Sequence, residues 1–161
     1  MPILHMELVG KGKDSEGKEV DIPSAAVLVR RGPVFQVSVG VAAKIAEQLV
    51  QAGKAVPTPI TGWGLVDTGS SVTCIDDKIA QKLGLPINDR VKLASASHDN
   101  TEKNVYPAEI VFIGVPIRVN VEAVGAVLDN QDLVALFGRD LLQSWTIFYN
   151  GIAGQITVST A

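Results

Sequence analysis

The hydrophobic pattern of the chain switches period several times, and each switch marks an element. Residues 33 to 41, PVFQVSVGV, set Phe35, Val37 and Val39 against Val34, Gln36 and Ser38, the two-residue period of a strand with one covered face. In AAKIAEQLVQAG the period lengthens: Ala42, Ile45, Ala46 and Leu49 share a helical face, and Gly53 supplies the stop, which predicts a surface helix over 42 to 52. WGLV is short and wholly apolar, as a buried central strand would be, and ends abruptly at Asp67. VTCI predicts another strand. DDKIAQKLG predicts a short helix opened by an aspartate and closed by Gly84. VKLASAS and VYPAEIVFIG flank the polar HDNTEKN as a long-tipped hairpin, and IRVNVEAV alternates Ile117, Val119 and Val121 with Arg118, Asn120 and Glu122. DLVALFGRDLLQSW starts apolar, breaks at Gly138 and resumes as a helix carrying Leu141, Leu142 and Trp145. TIFYNGIAGQITVS closes the chain as two strands around Asn150-Gly151, a hairpin-turn dipeptide. At the other end, strands near Ile3 to Val9 and Ala25 to Arg30 flank the polar, glycine-rich GKGKDSEGKEV, a solvated hairpin tip. The sum is a mostly β fold, a small barrel or folded sheet with two or three short helices.

Length and charge narrow the functions open to such a fold. At 161 residues the chain suits a single domain over 1–161, with residues 1–32 as N-terminal strands and a polar loop; two full lobes would not fit. Charged residues make up 19% and the net charge is −3, so nothing matches a phosphate backbone and nucleic acid is not an expected partner. No apolar run approaches the roughly 18 residues of a membrane span, and the opening MPILHMELVG lacks a signal-peptide pattern. Cys74 is the single cysteine and the two histidines lie far apart, which suggests a cytoplasmic setting with no disulfide, and predicts neither a metal site nor a cofactor. Cys74, Trp63 and Trp145 read as core residues, and His98 as a solvated loop histidine that could meet a ligand.

The candidate chemistry sits in LVDTGSS, residues 65 to 71. An aspartate before a glycine is ordinary turn chemistry, and the same ingredients occur in phosphate-binding turns of two-domain ATPases, for which this chain is too short and too β-rich. Three features in order point elsewhere: the apolar strand ending in Asp67-Thr68-Gly69-Ser70, the polar-tipped hairpin some thirty residues on, and Leu136-Phe137-Gly138-Arg139-Asp140 followed by two leucines. Together, over about residues 33–158, they resemble the retropepsin-like aspartic proteases, the single-lobed retroviral-type family and its bacterial relatives.

The resemblance implies a closed or folded barrel with one lobe per chain and a homodimer whose two Asp67 carboxylates activate a water to hydrolyse peptide bonds in a peptide or protein substrate. Residue chemistry agrees. Hydrolysing an amide without metal, serine or cysteine needs a base for the water and an acid for the leaving nitrogen, and two carboxylates sharing one proton supply both. The motif occurs once, so the second carboxylate must come from a second copy on a two-fold axis. The family pattern further implies that Gly69 turns its amide to the carboxylate, that Thr68 braces the paired loops, that Ser70 binds the outer carboxylate oxygen, and that Ser95, Ala96, Ser97 and His98 belong to a substrate-covering flap between residues 91 and 112. Ser71 stands where viral members carry an acid paired with the arginine, which leaves Arg139 to Asp140, Asp76 or Asp77. The opening ILHMEL and closing ITVS strands are candidates for the dimer sheet, having chain-end edges to share. A second reading keeps the fold as a dimeric peptide-binding or dimerisation module without turnover.

Overall fold

The computed structural model describes residues 2–95, 98–128 and 131–160. Its strands are β1 (Ile3–Glu7), β2 (Gly10–Lys13), β3 (Glu19–Ile22), β4 (Val34–Val41), β5 (Ile60–Val66), β6 (Cys74–Asp76), β7 (Asp89–Ser95), β8 (His98–Phe112), β9 (Arg118–Ala126), β10 (Leu133–Phe137), β11 (Trp145–Asn150) and β12 (Gln155–Thr160). The helices are α1 (Ser24–Arg31), α2 (Ala43–Gln51), α3 (Asp77–Lys82) and α4 (Arg139–Leu142). The main sheet runs β4-β5-β10-β6-β9-β8-β7, and a further β4–β8 pairing, Val37 opposite Phe112, closes six of these strands into a barrel. β7 extends from the barrel as the outer arm of the β7–β8 hairpin.

The alternation read from the sequence is the alternation of the barrel wall. Val34, Phe35, Val37, Val39 and Val41 are buried while Gln36 is exposed, and along β9 Ile117, Val119 and Val121 face inward of Arg118, Asn120 and Glu122. At the barrel's heart Phe35, Phe112 and Phe137 meet, with ring centroids 6.2 Å apart for the first pair and 5.2 Å for the second. Each ring buried from water contributes about 2–3 kcal/mol, and edge contacts of this kind add about 1 kcal/mol. Trp145 lies 5.3 Å from Phe112 and 6.0 Å from Phe137, and so fastens a second sheet, ordered β1-β12-β11, to the barrel.

Several expectations change. Residues 98–104 are not the tip of their hairpin but the first part of β8, His98 opposite Ser95 and Asn104 opposite Arg90, because the polar stretch pairs along β7; and Trp145 opens β11 instead of continuing the helix after Gly138, since α4 stops at Leu142. Residues 25–30 are not a strand but most of α1, which brings the helices to four where two or three were expected. Pro23 precedes it, Val27 and Leu28 bury one face, and Gly32 at φ 72° ends it, so packing of a three-to-four-residue stripe overrides the strand preference of the valines. Within 10–20 the polar stretch is itself paired as a β2–β3 hairpin, its turn tied by Asp14, whose Oδ1 accepts from Glu16 N and Lys18 N. The closing hairpin turns through residues 151–154 with positive φ at Gly154, not at Gly151, because Asn150 Oδ1 accepts from Ala153 N and widens the turn. β12, which contains ITVS, has no free edge: β1 and β11 flank it, Leu4 and Ile147 both opposite Val158.

Candidate active site

β5 and β10 run parallel, Leu65 beside Leu136 and Val66 beside Phe137, and deliver their C-terminal ends to one place. Asp67 N donates to Phe137 O at 3.0 Å, which carries the ladder one residue further before both chains turn. The turn after Asp67 closes locally: Ser70 N donates to Asp67 O at 3.2 Å and Gly69 N to Asp67 Oδ1 at 2.9 Å. An aspartate holding the amide two residues on is the sequence-local way to fix its own carboxylate. The result is a half-buried carboxylate with one oxygen anchored, beside exposed Thr68 and Gly69. Among the described residues, Asp67 Oδ2 accepts no hydrogen bond.

The turn after β10 holds this loop from behind. Gly138 sits so close to Val72 that a Cβ there would collide with the Val72 carbonyl. From this contact Arg139 N donates to Ser70 O at 3.0 Å and Asp140 N to Ser71 O at 3.3 Å. Arg139 Nη1 donates to Thr68 O at 2.8 Å and to Gly69 O at 3.0 Å. The carbonyls of the loop therefore face the guanidinium while the Gly69 N–H faces the carboxylate. Asp140 takes the other end: its Oδ2 accepts from Thr73 N at 2.9 Å and its Oδ1 from Thr73 Oγ1 at 2.8 Å, while Thr73 Oγ1 accepts from Gly138 N at 3.2 Å. Thr73 is fully buried, so its polar atoms depend on these partners.

The sequence-derived set is thus brought together in part. Asp67, Thr68, Gly69 and Ser70 share one loop, and Leu136, Phe137, Gly138, Arg139 and Asp140 share the segment against it. Arg139 does not pair with Asp140, Asp76 or Asp77. Asp140 is held by Thr73; Asp76 accepts from Lys78 N, Ile79 N and Leu128 N; Asp77 accepts from Tyr106 Oη and Gln81 Nε2. Nor does Ser70 reach the carboxylate: its hydroxyl donates to Val72 O at 2.7 Å, because the chain doubles back at Ser71 and offers that carbonyl first. Ala96 and Ser97 lie outside the described residues, and only the backbones of Ser95 and His98, paired across β7–β8, are described.

Beside the site, sequence reasoning missed Thr73 and saw only the capping half of what Asp76 does. Thr73 is a polar residue inside an apolar run, and such a residue needs a buried partner, which is the signal that could have exposed the Asp140 contact. Asp76, 3% exposed, caps α3 with one oxygen and with the other holds the backbone that follows β9, where Leu128 N donates at 2.9 Å. Cys74 is buried, and burial first, then the charges of Asp140 and Asp67, push its thiol up to about 11, which removes it as a nucleophile. Burial and donation to Asp77 likewise raise Tyr106 above the ordinary phenol value. Among the described residues no cluster of histidine, cysteine or carboxylate side chains could hold a metal ion, and no helix is long and apolar enough to cross a membrane.

Comparison with known proteins bears on this geometry. The chain is similar over 97% of its length to 92% of the chain in the crystal structure of a retropepsin-like aspartic protease from Rickettsia conorii, with 17% identity and a TM-score of 0.43. No curated protein matches. The profile of the family described as "gag-polyprotein putative aspartyl protease" matches residues 64–144, half of the chain, from the strand that carries Asp67 through the Gly138 turn and α4. The chain belongs to this retropepsin-like family of aspartic proteases.

Proposed function

We propose that the protein is a homodimeric aspartic endopeptidase in which Asp67 from each of two copies activates one water against a peptide bond. The observation that carries this reading is the Asp67 carboxylate itself: half-buried at the ends of two parallel strands, fixed through one oxygen by Gly69 N–H, and set in the single Asp-Thr-Gly of the sequence. One carboxylate cannot be base and acid at once. Two brought to about 3 Å cannot both ionise, so the pair holds one proton between two oxygens. The charged member takes a proton from the water as it attacks the carbonyl carbon, and the neutral member gives its proton to the carbonyl oxygen. The tetrahedral intermediate then collapses: the newly protonated member gives its proton to the leaving nitrogen while the other takes one from a hydroxyl of the intermediate, which restores the starting arrangement of the pair.

The chain's own residues support the parts of this scheme. Thr68 and Gly69 present an exposed loop whose carbonyls are already taken by Arg139, so its outward groups are free to meet the same loop of a second copy across a two-fold axis. The β7–β8 hairpin, one arm of which is an edge of the main sheet, serves as the flap that pairs with an extended substrate backbone. A buried, unreactive free thiol at Cys74 suits a reducing compartment, the cytoplasm.

The test is digestion of an unfolded protein mixture by wild type and Asp67→Asn side by side, from about pH 4 to pH 7.5, with new termini read by mass spectrometry. Termini produced by wild type and absent with Asp67→Asn are the expected result. Equal cleavage by both overturns the reading, and none by either while both run as folded dimers overturns it in favour of a peptide-binding module.

A further inference from the structure

The strand that ends at Asp67 also forms one wall of a cavity of about 540 Å³, bounded by Arg30, Arg31, Pro33, Val34, Leu65, Val66, Gln131 and Leu133. Its floor is apolar, and its size falls within the range of ligand pockets. Its position follows from the backbone. Arg30 and Arg31 end α1, Gly32 turns the chain with φ 72°, and Val66 N donates to Pro33 O at 2.9 Å, which seats the helix end beside the last residues of β5. Leu65 and Val66 line the cavity and Asp67 follows them directly, so the cavity adjoins the end of the strand that leads to the candidate carboxylate.

The charged groups of this cavity have one sign. Among the described residues no carboxylate lines it, and neither Arg30 nor Arg31 is ion-paired. The Arg31 guanidinium lies 4.6 Å from the centre of the Trp63 ring, a stacking contact that orients the group while leaving its in-plane N–H donors available. In a chain whose net charge is −3, two uncompensated arginines at an apolar pocket are set to receive an anion.

We propose that this cavity is a specificity pocket for an acidic side chain, so that the preferred peptides carry glutamate or aspartate near the bond presented to Asp67. The assignment rests on the reading of the Asp67 cleft as a peptide site. In a two-fold dimer the cavity occurs once on each side of that bond. A purely structural role for the arginines, complementing the C-terminal dipole of α1, predicts no such preference.

The test separates binding from chemistry by using full-length Asp67→Asn. Short blocked peptides of alanine and valine, fluorescently labelled and carrying either glutamate or glutamine at one position, are titrated against it by anisotropy. At one or two positions the glutamate peptide is expected to bind roughly 3–10-fold more tightly than its glutamine twin, less so at high salt. Adding Arg30→Gln and Arg31→Gln brings that ratio to about one, and adding Arg30→Lys and Arg31→Lys instead retains most of it. Equal affinities at every position, absence of binding, or a ratio that survives the glutamine changes overturns the proposal. Failure of the protease reading shows separately, as wild type that leaves the same peptides uncut whatever their binding ratio.

Discussion

Replacing Asp140 by alanine removes the carboxylate that holds Thr73. Two hydrogen bonds go, from Thr73 N at 2.9 Å and Thr73 Oγ1 at 2.8 Å. Thr73 is fully buried, so its N–H becomes an orphan costing about 1–3 kcal/mol, and loss of the hydroxyl contact adds about 1 kcal/mol. The sum is about 2–4 kcal/mol, and because Asp140 is itself exposed, water reaching its position puts the cost in the lower part of that range. For a chain of this size that is roughly 4–16 °C in melting temperature, and a substantial share of a total stability of about 5–15 kcal/mol. Asp140→Asn keeps one carbonyl acceptor and should cost about half as much. The assay is urea unfolding of wild type, Asp140→Ala, Thr73→Val and the double variant, whose coupling energy of about 1–2 kcal/mol isolates the hydroxyl contact. If Asp140→Ala unfolds within about 0.5 kcal/mol of wild type, with an unchanged denaturant slope, the carboxylate does not hold the loop and the reasoning fails.

Three further outcomes follow from the same contacts. Gly138→Ala places a methyl group against the Val72 carbonyl, so it should destabilise by about 2–4 kcal/mol or yield no folded protein, as read by near-ultraviolet circular dichroism and melting. Asp76→Ala removes the α3 cap and orphans Leu128 N; a cost of about 2–4 kcal/mol is expected, with hydrogen exchange quickened at Lys78, Ile79 and Leu128 amides. Burial raises the Cys74 thiol from 9.0 to about 11, so the folded state keeps its proton where the unfolded chain has lost it. The stability this contributes is complete below pH about 9 and is lost as pH rises to about 11, a fall of about 2–3 kcal/mol that should be shallower in Cys74→Ala, and native Cys74 should resist alkylation at neutral pH.

What the sequence disclosed was whatever one strand or one turn decides for itself. Val34 to Val41 declared its covered face, WGLV its place inside the sheet, and the segment from Leu136 to Asp140 its break at Gly138, because each follows from local period and backbone freedom. α1 was misread because Val27, Leu28 and Val29 form a run that suits either state over so short a length; which state wins depends on what Val27 and Leu28 pack against. The candidate loop was visible as Asp67-Thr68-Gly69-Ser70, yet its bracing was not. Arg139 reaches carbonyls at Thr68 and Gly69, about seventy residues away in sequence, and Asp140 reaches Thr73, contacts that exist only once β10 has been laid beside β5 and β6. Ser70 shows the opposite failure: a family role was expected of a hydroxyl that the local turn had already engaged at Val72.

The central claim is that catalysis needs one Asp67 from each of two copies, and subunit mixing tests it most directly. Wild type is co-refolded with increasing shares of Asp67→Asn at constant total chain, and cleavage of a peptide from the digestion screen is measured. The account predicts activity that follows the square of the wild-type fraction, about a quarter at equal mixing, since only dimers with two carboxylates turn over. A linear fall, to about half at equal mixing, would mean that each Asp67 works alone, and would contradict the shared-carboxylate mechanism.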